Sequence, residues 1–260
     1  MLSIIIPSYK DPLLQKTINS LIENAVGEIE IIAVLDGYWL PAEQIVDDPR
    51  VIYLHLGKNG GMRNAINQGV LISKGEYIMR VDEHQTFGNG YDKILTESCE
   101  DNWIVTPRRY FLDTVKWEVM DIPPVDFMVL KIGGTGSGRK FSGVERKGDD
   151  SQPIQESMAM QGSCWLMKRS WWNKVIRELQ TEGYGPLYQD SHEMVFKTWK
   201  AGGKLMVNKN TWHAHKHRSF PRTHNNGTKE NPSNNEQCFK YSLDVWEDYY
   251  TKEIKPKWKM

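Results

Sequence analysis

Residues 59–84 read NGGMRNAINQGVLISKGEYIMRVDEH, and this stretch decides the fold. Gly60-Gly61 opens a helix that runs to about Ser73; residues 76–81 then form an apolar strand that stops at Asp82. Toward the N-terminus, residues 2–6 are an apolar run closed by Pro7, and Asp11-Pro12 offers an N-cap followed by proline at the first helical position. Leu14, Ile18, Leu21, Ile22 and Ala25 recur at helical spacing before Gly27. Residues 28–35 and 51–56 are two more apolar runs, the first halted at Asp36-Gly37. The order is strand, helix, strand, strand, helix, strand, and the strands are continuously apolar. Both features predict an α/β protein with a buried, mostly parallel sheet. Ligands of such sheets sit at the carboxyl ends of the strands. Tyr9, Asp36, Asn59-Gly60-Gly61 and Asp82 all fall there.

The chain has 260 residues, enough for one large domain or a domain with an appendage. Its 33 basic and 33 acidic side chains cancel, which argues against whole-chain disorder and against a purely electrostatic polyanion binder. No apolar run reaches a membrane-spanning length, and MLSIIIPSYKD has neither a basic start nor a cleavage site, so the expected location is cytoplasmic. Cys99, Cys164 and Cys238 are too widely spaced for a CxxC metal site and are expected to be reduced thiols.

Beyond residue 100, strands are expected over 103–106 and 110–119. Residues 133–150, GGTGSGRKFSGVERKGDD, hold 6 glycines in 18 positions without an apolar period, and read as a flexible loop or lid. A strand over 160–167, a helix over 170–179 capped by Ser170, a helix over 190–201 and a strand over 204–207 follow. Between residues 204 and 229 there are six Lys/Arg, four of the seven His and no acid. The end of the chain reads as a helix packing back, then a basic tail.

Asp82-Glu83-His84 delivers a carboxylate and an imidazole to one side of a turn, where both can hold a divalent ion. His213, His215 and His217 alternate along an extended segment and offer a third ligand from one face. One carboxylate with one or two imidazoles leaves room for phosphate oxygens and water, a set that suits Mn²⁺ better than Mg²⁺. At Gly60-Gly61-Met62-Arg63-Asn64, free amides at a helix start and the guanidinium fork of Arg63 are suited to a diphosphate.

In this order the motifs resemble the GT-A glycosyltransferases of the broad family-2 group. SIIIPSY (3–9) is similar to their opening strand, VLDG (34–37) to the strand whose Asp meets the nucleoside, and residues 59–84 to their Asn, Gly, Arg-Asn and metal-binding Asp pattern. Later motifs look most like the polypeptide N-acetylgalactosaminyltransferases, which carry Asp-x-His: QDSHEMVFKTWKAGG (189–203), HAHKHR (213–218) and MQGSCWLMKR (160–169). The resemblance implies a Rossmann-like nucleotide-sugar-binding sheet with helices on both faces, plus an acceptor-side subdomain. It divides the chain into a nucleotide-sugar-binding half (1–100), an acceptor and catalytic half (101–225) and a C-terminal helical tail (226–260). It implies Asp82, His84 and His215 as ligands of Mn²⁺ or Mg²⁺. Donor contacts fall to Pro7, Tyr9, Asp36, Gly61, Arg63, Asn64, Asp82, Gly162 and Arg218, and catalytic roles to Asp190 and Glu193. Asp190 stands where those enzymes have Glu, and Lys197 where they have Arg, so their peptide acceptor and their donor sugar do not carry over.

The implied reaction moves a sugar from a nucleoside diphosphate, expected to be a UDP-sugar, to an acceptor hydroxyl. Asp190 either takes the acceptor's proton or positions a substrate; as a purely structural residue it would cap the next helix, with Glu193 completing a capping box. The acceptor stays open between a glycan, a protein and a hydroxymethylated pyrimidine in DNA. The last would use the basic pairs at 108–109, 139–140 and 146–147, with Trp165, Trp171, Trp172 and Phe220 stacking a flipped base. The rival readings are a non-catalytic nucleotide-sugar-binding protein and a nucleotidyltransferase, the latter disfavoured by the short first loop.

Overall fold

The computed structural model describes residues 1–148, 150–216 and 235–259. In chain order the N-terminal part is β1 (Leu2–Ser8), α1 (Leu14–Asn24), β2 (Ile29–Asp36), β3 (Val51–Leu56), α2 (Met62–Ile72), β4 (Tyr77–Val81), β5 (Gln85–Phe87) and α3 (Tyr91–Ser98). There follow β6 (Trp103–Asp113), β7 (Glu118–Val119), β8 (Phe127–Gly133), β9 (Lys140–Arg146), β10 (Ile154–Glu156), β11 (Cys164–Lys168) and α4 (Arg169–Trp171). The chain ends with α5 (Asp190–Lys200), β12 (Lys204–His215), α6 (Asn235–Tyr249) and α7 (Lys255–Lys257).

The main sheet runs β10-β12-β6-β11-β4-β1-β2-β3, with β5 on β12 and β7 on β6. Its N-terminal half is parallel: β1 pairs with both β2 and β4, and β2 pairs with β3. β11 lies antiparallel between β4 and β6, and β6 returns to parallel pairing with β12. Both faces are covered over β1, β2 and β4, which explains why these strands are predominantly apolar on both sides. Ile5, Ile32, Val34 and Ile78 face Ala65, Ile66 and Val70 of α2 in one cluster, which continues through Phe196 of α5 and Trp246 of α6. Their neighbours Ile4, Ile6, Ile31, Ala33, Met79 and Val81 face Leu14, Ile18 and Leu21 of α1 and Leu95 of α3 in the other. Among the described residues no helix is long and apolar enough to cross a membrane, and all three cysteines are buried and free.

Several elements differ from the sequence reading. α1 starts at Leu14 without a side-chain cap bond; Asp11 instead accepts the Leu13 amide at 2.8 Å and reaches toward the site described below. β6 runs unbroken through Pro107, and β12 is twelve residues long rather than four. Ser170 caps nothing: α4 begins at Arg169, passes into a π turn over Trp172–Ile176, and ends at Arg177 with φ of 62°.

The stretch read as a loop over 133–150 is largely regular. β9 pairs antiparallel with β8 over seven residues, from Phe127↔Arg146 to Gly133↔Lys140. Phe141 is its anchor: it is buried against Phe196 and Tyr250 at ring separations of 4.7 and 5.5 Å. Truncating a buried phenylalanine costs about 3–5 kcal/mol, so Phe141→Ala should lower unfolding stability by that order in urea titrations, whereas an unanchored loop would lose almost nothing.

Candidate active site

β4 ends by placing Asp82 at the sheet's carboxyl edge, and the turn into β5 carries Glu83 and His84. The distant His215 arrives because β12 pairs with β6 on one side and β5 on the other, in register His215↔Phe111 and His215↔Gln85. His215 Nε2 lies 3.1 Å from Asp82 Oδ2, the His84 and His215 rings are 4.9 Å apart, and ligand atoms of Asp82, His84 and His215 all fall within 4.8 Å of one another. One carboxylate and two imidazoles, with open positions for oxygen ligands, can hold a divalent ion such as Mn²⁺; with no thiolate in the group, a closed cysteine-rich zinc site does not fit. Burial acts to raise the Asp82 pKa, but the Arg80 charge, the His215 hydrogen bond and both imidazoles outweigh it and hold the carboxyl well below its usual range.

Arg80 is a site residue the sequence reading missed. Its guanidinium is buried, donates to Asp82 Oδ1 at 2.5 Å, to Met62 Sδ at 3.2 Å and to the Gly162 carbonyl. The signal was present: Arg80 is the one charge in an otherwise apolar strand. Gly162 in turn neighbours α5, since a Cβ added there would lie 3.8 Å from Asp190 Oδ2. Asp82 and Gly162 thus meet at Arg80, and Gly162 lies beside Ser191 and Asp190 at the start of α5.

The other end of the crevice is built from the ends of β1 and β2. The Tyr9 amide donates to Glu83 Oε2 at 3.0 Å, and the Tyr9 and Tyr38 rings meet edge to face at 6.1 Å. Pro7 stands opposite Val34 in the β1–β2 register. Asp36 is turned inward: its carboxylate accepts the amides of Gly60 at 2.7 Å and Gly61 at 2.8 Å and the Asn59 side chain at 2.8 Å. Its pKa is raised, burial prevailing over those two amide bonds.

The free amides expected at the start of α2 are therefore taken by the protein's own carboxylate. Gly61, at φ of 84°, is pressed against Pro186, where a Cβ would collide, and Arg63 is fully buried. Arg63 pairs with Glu193, donates to the carbonyls of Tyr188 at 2.8 and 3.2 Å and of Gln180 at 2.9 Å, and lies over the Tyr184 ring. A guanidinium with these partners is a tertiary tie rather than an open fork. Asn64, beside it on α2, closes on Gly60, where a Cβ would meet its side-chain amide.

α5 presents Asp190 through backbone strain: Tyr188 and Gln189 both adopt left-handed conformations, φ 61° and 55°, each costing roughly 1–2 kcal/mol for a residue other than glycine. Arg63 on the Tyr188 carbonyl opposes that cost, as does Gln189, whose side chain donates to the Phe141 carbonyl at 3.2 Å and accepts from Ser242 at 3.3 Å. No capping box forms. Gln189 is the N-cap without a side-chain bond, and Glu193 is committed to Arg63 and to Lys197, 2.7 Å away.

His213 does not join Asp82, His84 and His215. It is buried, lies 3.4 Å from Ser163 Oγ and stacks on Phe87. His217 and Arg218 lie outside the described residues. Trp165, Trp171 and Trp172 are buried in the core, so they cannot stack a flipped base; Phe220 lies outside the described residues. Arg108 pairs with Asp126 and Asp150, Arg109 with Glu145 and Arg139 with Glu247, so these cations do not form a free phosphate track.

Burial, first, and the charges of His215 and Arg109 hold the His213 imidazole well below its usual pKa, with Asp82 opposing. The folded protein therefore keeps His213 neutral while the unfolded chain protonates it. Its contribution to stability is complete above about pH 6.5 and declines as pH falls. Urea titrations at stepped pH should show this acid sensitivity, and His213→Phe should reduce its slope.

The model of Glycosyl transferase family 2 matches residues 3–176. The chain is 33 % identical over 108 residues to the uncharacterized glycosyltransferase EpsJ of Bacillus subtilis, covering 39 % of this chain and 31 % of that protein. To the glycosyltransferase GlyG of Streptococcus pneumoniae it is 34 % identical over 88 residues, covering 32 % and 29 %. The matched segment thus spans less than a third of either curated relative. Among solved structures, GalNAc-T7 with UDP, GalNAc and Mn²⁺ superimposes with a TM-score of 0.75 at 16 % identity, over 98 % of this chain and 50 % of that one. TarS 1-349 of S. aureus in complex with UDP-GlcNAc gives 0.58 at 14 % identity, over 84 % and 59 %. At these identities the structural likeness is one of fold. With two thirds of its length matched by the family model and a sheet of the same architecture, the chain belongs to glycosyltransferase family 2 and has the GT-A fold.

Proposed function

We propose that the protein transfers a sugar from a UDP-sugar to an acceptor hydroxyl with the help of a divalent ion. The observation that carries this reading is the convergence of Asp82, His84 and His215 at the carboxyl edge of the sheet, two of them 133 positions apart in the chain. These three residues would hold Mn²⁺, or Mg²⁺ less well, and such an ion supplies Lewis acidity toward a departing diphosphate. The proposal is in keeping with the ligands named for GalNAc-T7 and TarS, UDP with Mn²⁺ in one and UDP-GlcNAc in the other.

This chain's own residues do the rest. Pro7 and Tyr9 at the end of β1 border the nucleoside, with Tyr38 beside them. Asp36, Gly61 and Asn64 act as a unit that shapes the floor of that subsite. Arg80 keeps Asp82 ionised and carries a fixed positive charge between the diphosphate side and the sugar side. Gly162, lacking a side chain, lets its segment lie close to Ser191 and Asp190 at the start of α5, beside the position given to the sugar. Asp190 faces the acceptor as the group that takes its proton or orients it, and Glu193, through Arg63, maintains the turn that presents Asp190. Arg218 is assigned to the diphosphate on the resemblance alone. A glycan or a protein is the favoured acceptor class, since Trp165, Trp171 and Trp172, three of the residues a flipped base would need, are in the core.

UDP release from UDP-GlcNAc and UDP-GalNAc, with and without Mn²⁺, tests the reading. Release should require the ion and vanish in Asp82→Asn and His84→Ala while circular dichroism stays native. Full turnover in either variant with metal chelated would overturn it, and nucleotide-sugar binding without release would make the protein a sensor. In the same assay Asp190→Asn should lose about 10²–10⁴-fold if Asp190 is the base, and less than about tenfold if it only positions.

A further inference from the structure

Asp11 neither caps α1 nor belongs to the three-residue group above, yet it is buried beside that group. It comes from the loop between β1 and α1. Its Oδ2 lies 3.1 Å from His84 Nδ1, and its Oδ1 accepts the Leu13 amide at 2.8 Å. Both oxygens are engaged, so the carboxylate has a set direction. With the carboxylate as acceptor, this contact places the His84 proton on Nδ1 and leaves the Nε2 lone pair for another partner. The adjacent Glu83 accepts the Tyr9 amide at 3.0 Å. The loop holding Tyr9 and Asp11 is thus tied twice to the turn holding Glu83 and His84.

Asp11, Glu83 and His84 also bring ligand atoms within 4.8 Å of one another. Both carboxylates already accept backbone amides, however, and the Asp11 oxygen nearest His84 faces the ring nitrogen opposite the one left open. The geometry suits a support for His84 better than a second ion site.

We propose that Asp11 is a positioning residue: it holds His84 in the Nδ1–H tautomer and aims Nε2 at the position shared with Asp82 and His215. The inference rests on the metal reading of the preceding subsection. Residues that orient a ligating histidine in this way are worth roughly 10–100-fold in metal affinity.

The test uses the full chain and Mn²⁺ alone, with free Mn²⁺ followed by electron paramagnetic resonance. Wild type should bind, Asp82→Ala should lose binding, and Asp11→Asn should bind about 10–100-fold more weakly with the metal-free thermal midpoint preserved. Unchanged affinity in Asp11→Asn beside lost binding in Asp82→Ala overturns this inference and leaves the metal reading intact. A loss in Asp11→Asn as complete as in Asp82→Ala makes Asp11 a ligand and also overturns it. Failure of wild type to bind, or full binding by Asp82→Ala, overturns both. A second measurement needs no variant: in metal-free wild type, at a pH where imidazoles are neutral, long-range ¹H–¹⁵N spectra should report His84 as the Nδ1–H tautomer, and an Nε2–H tautomer overturns the proposal.

Discussion

A guanidinium inside an apolar strand has to be paired, and the crevice is organised by the way Arg80 meets that requirement. An uncompensated buried charge costs about 3–5 kcal/mol, so Asp82 at the strand's end is held ionised and the Gly162 carbonyl is drawn to the same point. Gly162 abuts Asp190, and Asp82 abuts His215. The two ends of the crevice are therefore linked through one cation, which occupies the seam where antiparallel β11 joins the parallel half of the sheet.

A second buried pair serves the opposite wall. Arg63 and Glu193 lie 0 and 1 % exposed, which makes each dependent on the other. Through Arg63 they hold the carbonyl of a residue whose backbone is strained, and that strain sets where α5 begins and where Asp190 points. Asp36 has a comparable part at the start of α2, where its carboxylate satisfies amides that a helix end otherwise leaves to solvent or to a ligand. Polar groups that read as ligand contacts in isolation are here contacts between elements.

Those are the points where the sequence misleads. A glycine pair before a helix, followed by arginine, has the same local pattern whether it meets a diphosphate or an internal carboxylate. Glycine-rich residues 133–150 lack an apolar period because β9 sends only Phe141 fully into the core; the hairpin's other buried anchor, Leu130, lies on β8, outside that stretch. Tryptophans near basic residues look available for stacking until the core takes them. In each case the deciding partner is distant in the chain: Asp36 for Gly61, Phe196 for Phe141, Glu193 for Arg63.

From the sequence alone came the α/β class, the parallel half of the sheet, the crevice at its carboxyl edge and the pairing of Asp82 with His84, because apolar periodicity and turn residues act over a few positions. Whether Arg63 and Asp36 look outward or inward, where His213 goes, and which carboxylate lies against His84 depended on long-range register and burial. A hydrogen bond or an ion pair across the fold forms only after the strands have closed the distance, and no local spacing encodes it.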